Sequence, residues 1–184
     1  MLYIVFQTVR PDPIDMSWLA RWATWLGRWT CFVTQSPLAH VAVIKGDRVI
    51  ECNVNGTHAY PRGKWLSGNR WQLHGYYTVV EPWPVDSMLN HIASLGVRRA
   101  PWWRYELCRL LHWLSRGSIP FWHCTSPVLA LLAEMGMNPP LWITEPRQLQ
   151  RWINDQGFDY IALSRSDRNS PNRWRIGEDT GDDR

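Results

Sequence analysis

The chain has 184 residues and a mass of 21.6 kDa, which is the size of one compact domain. Hydrophobic residues make up 45% and charged residues 20% of it, a composition that excludes disorder along most of the length. The net charge of +4 is too small to predict a nucleic-acid partner. Tryptophan is unusually abundant, with 14 copies, so large flat side chains are expected to supply much of the buried surface.

The N-terminus predicts a strand over Leu2–Val9. The apolar run at the start is only about six residues long, with no basic leader or cleavage site, which favours a strand over a signal peptide. No apolar run approaches the roughly 20 residues that cross a bilayer. We therefore expect cytoplasmic synthesis without a signal peptide.

A helix is predicted from Asp15 to about Trp29, with a tryptophan stripe along one side. The stripe consists of Trp18, Trp22, Trp25 and Trp29. The favoured interpretation is that it faces the core, because a short helix in a globular chain usually buries its apolar side. Arg21 and Arg28 beside it support the alternative, a helix that lies on a membrane surface.

The rest of the chain predicts a hairpin followed by strands and helices. The hairpin joins strands Ala39–Lys45 and Arg48–Asn53 through a Gly46-Asp47 turn. After a polar loop, the remaining predicted elements are strand Tyr76–Val80, helices Asp86–Leu95 (capped by Asp86), Trp103–Leu114, Val128–Met135 and Thr144–Gln156, and strand Phe158–Leu163. This order predicts an α+β domain over residues 1–163, with an antiparallel sheet packed against helices. Residues 164–184 are expected to form a charged C-terminal tail.

Cys124 has the local setting that nucleophilic cysteine chemistry requires. It directly precedes the Thr125-Ser126-Pro127 helix start, where exposed N–H groups and the helix dipole favour a thiolate. Cys31, Cys52 and Cys108 have no such setting, and the four cysteines, which lack CxxC spacing, are expected to be thiols. The alternative for Cys124 is a small packing residue.

His40 is the candidate base, because it begins a hairpin strand among apolar neighbours. A two-residue turn at Gly46-Asp47 would place Ala42 opposite Glu51 and His40 opposite Asn53. Either Glu51 or Asn53 could then orient the imidazole, as catalytic triads require. The alternative is a buried histidine bonded to a backbone carbonyl.

A zinc site is the main rival use of these residue types. Cys108 and His112 are four residues apart on one predicted helical face, and His123 and Cys124 follow. The spacing matches no short metal motif, so no metal and no cofactor are expected. The sequence also lacks the P-loop, dinucleotide, GxSxG and HExxH motifs.

Three segments resemble the permuted NlpC-type cysteine hydrolases, a circularly rearranged papain-like fold related to the lecithin retinol acyltransferase group. Family segments similar to SHVGI…VIEA and FYCSELV have counterparts in Pro37–Ile44 (PLAHVAVI), Val49–Cys52 (VIEC) and Phe121–Val128 (FWHCTSPV). The resemblance covers roughly residues 1–163. It departs from the family pattern at His123 and at Thr125-Ser126, which replace an aromatic residue and a Ser-Glu pair.

The resemblance implies Cys124 as nucleophile, His40 as general base and Glu51 as the third polar member. It implies a hydrolase of amide bonds in peptides, often in peptidoglycan. Compact members of this group occur in phage genomes, which suggests packaging in a virion. Two other functions stay open: a lipid-directed acyl hydrolase or acyltransferase that meets a membrane through the tryptophan stripe, and a non-catalytic virion component that contacts other virion proteins through the tail.

Overall fold

The computed structural model of the chain is an α+β fold built on one antiparallel sheet. It describes residues 1–9, 35–53, 56–66, 71–80, 84–95, 123–140 and 142–164, with the single positions 21, 24, 25, 28, 29, 31, 32, 111 and 114. The strands are β1 (Leu2–Val9), β2 (His40–Lys45), β3 (Arg48–Asn53), β4 (Gly56–Pro61), β5 (Trp71–Val79) and β6 (Tyr160–Ala162). The helices are α1 (Arg62–Leu66), α2 (Val85–Ser94), α3 (Ser126–Glu134) and α4 (Pro146–Asp155).

The sheet has the strand order β4-β3-β2-β1-β5-β6, and every neighbouring pair is antiparallel. Strand β1 lies near the middle because its sequence LYIVFQ has no solvent-facing polar alternation; all six residues are buried. Its pairing with β2 sets Gln7 opposite His40. The first strand of the chain therefore supports the strand that carries the candidate base.

Two groups of buried apolar side chains form the core. The larger group joins one face of the sheet to α2, α3 and α4, with Leu89, Leu131 and Leu149 among its fully buried members. Each such side chain contributes about 1.5–3 kcal/mol by leaving water. The smaller group includes Val5, Ala42 and Val49, and the half-buried Trp65 of α1 packs against it.

Most predicted elements are confirmed to within a few residues. Strand β1 and both hairpin strands match, with β2 beginning at His40. The start predicted at Thr144-Glu145-Pro146 is also confirmed: Glu145 is the N-cap of α4, and the Gln148 side chain accepts hydrogen bonds from the backbone N–H groups of Thr144 and Glu145 at 2.9 and 3.2 Å.

Several predictions need correction. The segment before Tyr76, predicted as a loop, contains β4, α1 and the first part of β5. Strand β6 is shorter than predicted, and the N-cap of α2 is Pro84, not Asp86. The differences in the strands arise because pairing with neighbouring strands, and not local sequence pattern, fixes their extent. Most of the predicted helix at 103–114 and almost all of the tail lie outside the described residues.

The core-facing interpretation of the tryptophan stripe is wrong for the part that can be seen. Positions 21, 24, 25, 28, 29, 31 and 32 are helical, so the helix continues past Trp29. Trp25 and Trp29 are 56% and 49% exposed and stack on each other, with ring centroids 6.1 Å apart. Among the described positions of this helix, the buried side chain is that of Thr24. Trp18 and Trp22 lie outside the described residues.

No helix in the described part of the chain combines the length and apolar character that crossing a bilayer would require.

Candidate active site

His40 and Glu51 meet across the predicted hairpin. The register is the one expected from a two-residue turn, with Ala42 opposite Glu51 and Lys45 opposite Arg48. His40 Nε2 donates a hydrogen bond to Glu51 Oε2 at 3.0 Å. The two residues are only 5% and 8% exposed, so the bond lies in a region of low dielectric, where it is stronger than in water. Glu51, one of the two acceptors left open by the sequence, contacts the imidazole; the side chain of Asn53 lies outside what the structure describes.

Glu51 has a second hydrogen-bond donor, which the sequence analysis does not predict. The indole Nε1–H of Trp65 donates to the same oxygen, Oε2, at 2.7 Å. Trp65 belongs to α1, in the segment predicted as a loop, so no helical or strand pattern singled it out. The only available signal was compositional, a large aromatic side chain with an N–H donor in an otherwise polar segment.

A side-chain hydrogen bond joins Cys124 to His40. The structure thus brings together Cys124, His40 and Glu51, the three site residues predicted from the sequence. Cys124 is half-buried. This degree of burial suits a nucleophile, because its neighbours hold the thiol in place while a substrate can still reach it. Histidine is the side chain that can exchange a proton with both a thiol and a leaving group.

The environment of His40 strongly favours its protonated form. Burial by itself would lower the pKa of the imidazole, but the hydrogen bonds to Cys124 and Glu51 and the negative charges of these groups outweigh it. Together they raise the pKa of His40 from 6.5 to about 10. The ring is therefore an imidazolium at neutral pH, held between a sulfur and a carboxylate.

The turn that carries Cys124 is fixed by its neighbours. The backbone N–H of His123 donates to Ser126 Oγ at 2.9 Å, and the backbone N–H of Ser126 donates to the carbonyl of His123 at 2.9 Å. Thr125 Oγ1 lies 2.5 Å from His123 Nδ1. His123, Thr125 and Ser126, the residues that depart from the family pattern, are all buried and hold the start of α3.

Cys124 lies just before the N-terminal end of α3. The first N–H groups of a helix have no partner within it, and the dipole makes this end partly positive. Pro127 in the first turn reinforces the start, because its ring fixes a helical φ angle. A negative charge that forms on the thiol, or next to it, is stabilised here.

The other described cysteines have unreactive surroundings. Cys52 is buried, and this burial, together with the charges of Cys124 and Glu51, raises its pKa to about 12 despite an opposing hydrogen bond to Thr57. Burial also raises the pKa of Cys31. Both therefore remain neutral thiols at pH 7, and neutral thiols are poor nucleophiles.

The rival zinc interpretation rests on residues only half of which can be located. Cys108 and His112 lie outside the described residues. Within those that are described, no group of three or more His, Cys, Asp or Glu side chains is arranged to hold a metal ion. His123 bonds Thr125, and Cys124 bonds His40.

Comparisons of the chain with models of protein families, with curated proteins and with solved structures found no match. Any proposal for the function of the chain therefore rests on the chemistry of the site. That chemistry consists of a thiol at a helix start, a protonated imidazole hydrogen-bonded to it, and a carboxylate that is hydrogen-bonded to the imidazole.

Proposed function

We propose that the chain is a cysteine hydrolase that cleaves an amide bond through an acyl-enzyme on Cys124. The single observation that carries the proposal is the placement of His40 between the Cys124 sulfur and the Glu51 carboxylate. This is the relation that nucleophilic thiol catalysis needs: a nucleophile, a proton carrier beside it, and a third group that orients the carrier.

In the proposed reaction, the Cys124 thiolate attacks the carbonyl carbon and forms a tetrahedral oxyanion. Backbone N–H groups at the start of α3 contribute to stabilising that oxygen. The His40 imidazolium gives its proton to the amine as the C–N bond breaks, which leaves a thioester. A water molecule then attacks the thioester while His40 takes its proton, and the C–S bond breaks, which releases the carboxylic acid and restores the Cys124 thiolate beside the His40 imidazolium. Glu51 keeps the ring in position through both halves.

The sheet-and-helix arrangement is compatible with the permuted papain-like fold that the motif resemblance implies. That resemblance also supplies the substrate class to test first, amide bonds in peptides and particularly in the peptides of peptidoglycan. A virion location, with the tail of residues 164–184 in contact with other virion proteins, belongs to the same proposal.

The decisive test is the rate at which iodoacetamide modifies each cysteine at pH 7, measured by mass spectrometry of peptides. We expect Cys124 to react at least about tenfold faster than Cys31 or Cys52, because Cys124, unlike these two, is hydrogen-bonded to a protonated imidazole. His40→Ala should remove the difference, whereas His91→Ala, which changes an exposed histidine of α2, should leave it intact.

Turnover is then tested on peptidoglycan fragments and peptide amides, with release of a new amine as the readout. Cys124→Ala should abolish the release. If Cys124 is labelled no faster than Cys31 and Cys52, the hydrolase proposal fails and the non-catalytic virion component becomes the better explanation.

A second candidate function is a lipid-directed acyl hydrolase or acyltransferase with the same three residues. It is favoured by the exposed helical face that carries Trp25, Trp29 and Phe32, the last 75% exposed, beside the exposed Arg21 and Arg28. Stacked indole rings suit the headgroup region of a bilayer, and the two arginines are complementary to anionic headgroups.

Vesicle binding distinguishes this candidate from the first. We expect the protein to sediment with vesicles that contain phosphatidylglycerol and not with neutral phosphatidylcholine vesicles. A Trp25→Ala, Trp29→Ala double variant should lose the interaction, while Trp142→Ala, which removes another exposed tryptophan, should keep it. Absence of binding to anionic vesicles removes the basis for the lipid-directed function.

A further inference from the structure

We infer that Trp65 is a positioning residue of the site, whose indole N–H holds the Glu51 carboxylate in the orientation that His40 requires. The inference rests on the proposed function, since it assigns a role in the same site. It starts from one shared atom: Glu51 Oε2 accepts from His40 Nε2 at 3.0 Å and from Trp65 Nε1 at 2.7 Å.

A buried carboxylate needs donors on more than one side. Glu51 is 8% exposed, so water has little access to replace a missing partner. Its terminal torsion rotates easily, and a single hydrogen bond leaves the carboxylate free to turn about that bond. Donors from two elements, β2 and α1, fix the oxygen between them. The geometry of the Glu51–His40 bond therefore depends on Trp65.

The chemical type of the donor also matters. An indole N–H is neutral and does not titrate in the physiological range, so it orients the carboxylate at every pH without cancelling its charge. An arginine or lysine at this place would form its own ion pair with Glu51 and weaken the attraction that the carboxylate exerts on His40. Tryptophan therefore orients the carboxylate that bonds His40 without adding a charge of its own to the site.

The indole is itself held in place by packing. Trp65 lies against the smaller core group, which includes Ala42 and Val49 on the strands that carry His40 and Glu51. The start of α1 is tied to the hairpin, because the backbone N–H of Arg62 donates to the carbonyl of Asp47 at 2.6 Å. A donor fixed by its own packing is what an oriented site needs, since a mobile one would lose that orientation.

The test compares Trp65→Phe with Trp152→Phe. The first substitution retains most of the apolar ring and removes the N–H. The second makes the same change at a half-buried tryptophan of α4, which packs against the larger core group. The measurement is an NMR titration of the His40 imidazole. The other titratable groups around the site, Cys52, Cys124, His123 and His58, the last opposite Glu51 on β4, are unchanged in both variants.

We expect Trp65→Phe to lower the titration midpoint of His40 by roughly one unit, as a poorly oriented Glu51 would stabilise the imidazolium less. Trp152→Phe should leave the midpoint where it is in the wild type. In a Glu51→Gln background, Trp65→Phe should have no further effect, because the carboxylate on which it acts is gone.

An unchanged His40 midpoint in Trp65→Phe, or an equal shift with and without the Glu51 carboxylate, overturns the inference. This outcome is distinct from failure of the hydrolase proposal, which is decided by Cys124 labelling in the wild type. The titration needs no substrate, so it gives an answer whichever way the labelling experiment turns out.

Discussion

His40 Nε2 and Glu51 Oε2 lie 3.0 Å apart on neighbouring strands, and the two residues are only eleven positions apart in the chain. A bond between a buried imidazole and a buried carboxylate is worth more than an exposed one, and it leaves an unsatisfied group behind when one partner is changed. Several consequences of this and of other contacts can be measured.

Glu51→Gln should reduce turnover of any amide substrate by at least about tenfold. The substitution keeps the shape of the side chain and removes the charge that holds His40 as an imidazolium. The measurement is kcat/KM near pH 7, and Glu134→Gln, an exposed position on α3, is the matched control. Equal activity of Glu51→Gln and the wild type would show that the carboxylate has no part in the reaction.

Folding stability should fall as the pH rises from about 6.5 towards 10. The folded protein holds a proton on His40 with a pKa of about 10, whereas the unfolded chain releases it near 6.5. The stabilisation is complete below the lower value and is lost as the pH passes the higher one. Urea unfolding at pH 6.5, 8 and 9 measures the decline.

The choice of pH range separates this effect from that of a buried thiol. The pKa of Cys52 is raised from 9.0 to about 12, so its contribution is also lost at high pH, but only above 9. His40→Gln should therefore flatten the profile between pH 6.5 and 9. A profile that keeps its slope in this variant would assign the proton to another group.

Gly75→Ala should destabilise the fold by about 1–3 kcal/mol. A Cβ atom at this position in β5 would lie 2.5 Å from the ring of Tyr160 and 2.6 Å from the carbonyl oxygen of Ile161. The carbonyl belongs to β6, which pairs with β5, so it cannot withdraw without loss of strand pairing. Thermal unfolding of Gly75→Ala is compared with Gly63→Ala, where a Cβ meets nothing within 4 Å. Similar melting temperatures would contradict the prediction.

Gln148→Ala should cost about 1 kcal/mol of stability. Its side-chain oxygen accepts hydrogen bonds from two backbone N–H groups that precede α4, those of Thr144 and Glu145. Gln150→Ala, two residues later on the same helix, changes no cap and is the control. The free energy of unfolding in urea decides the matter, and equal values for the two variants would count against a capping role.

The parts of the site that the sequence could predict are those governed by local rules. A two-residue turn at Gly46-Asp47 allows a single register, and that register fixed Glu51 on the face of His40. The Thr125-Ser126-Pro127 helix start likewise located Cys124 at the beginning of α3. Both inferences needed only neighbours in the chain.

The parts that were missed depend on contacts between distant elements. Strand β4 contains Gly56 and Pro61 and gains its extended form by pairing with β3, so no alternation of apolar residues marks it. Trp65 lies in α1, directly after β4, and so belongs to the same segment that was predicted as a loop. For Trp25 and Trp29 the spacing correctly identified a helical face, but periodicity alone cannot tell whether such a face meets the core or the solvent.

Two of the three groups at the site come from one hairpin, while the third arrives with a helix far along the chain. Local pairs of strands form within microseconds, whereas contacts between distant segments must wait for the intervening chain to close. Because synthesis runs from the N-terminus, His40 and Glu51 are both made before Cys124. The contact between the Cys124 sulfur and the His40 imidazole therefore forms late, and a chain that stops before residue 124 lacks it.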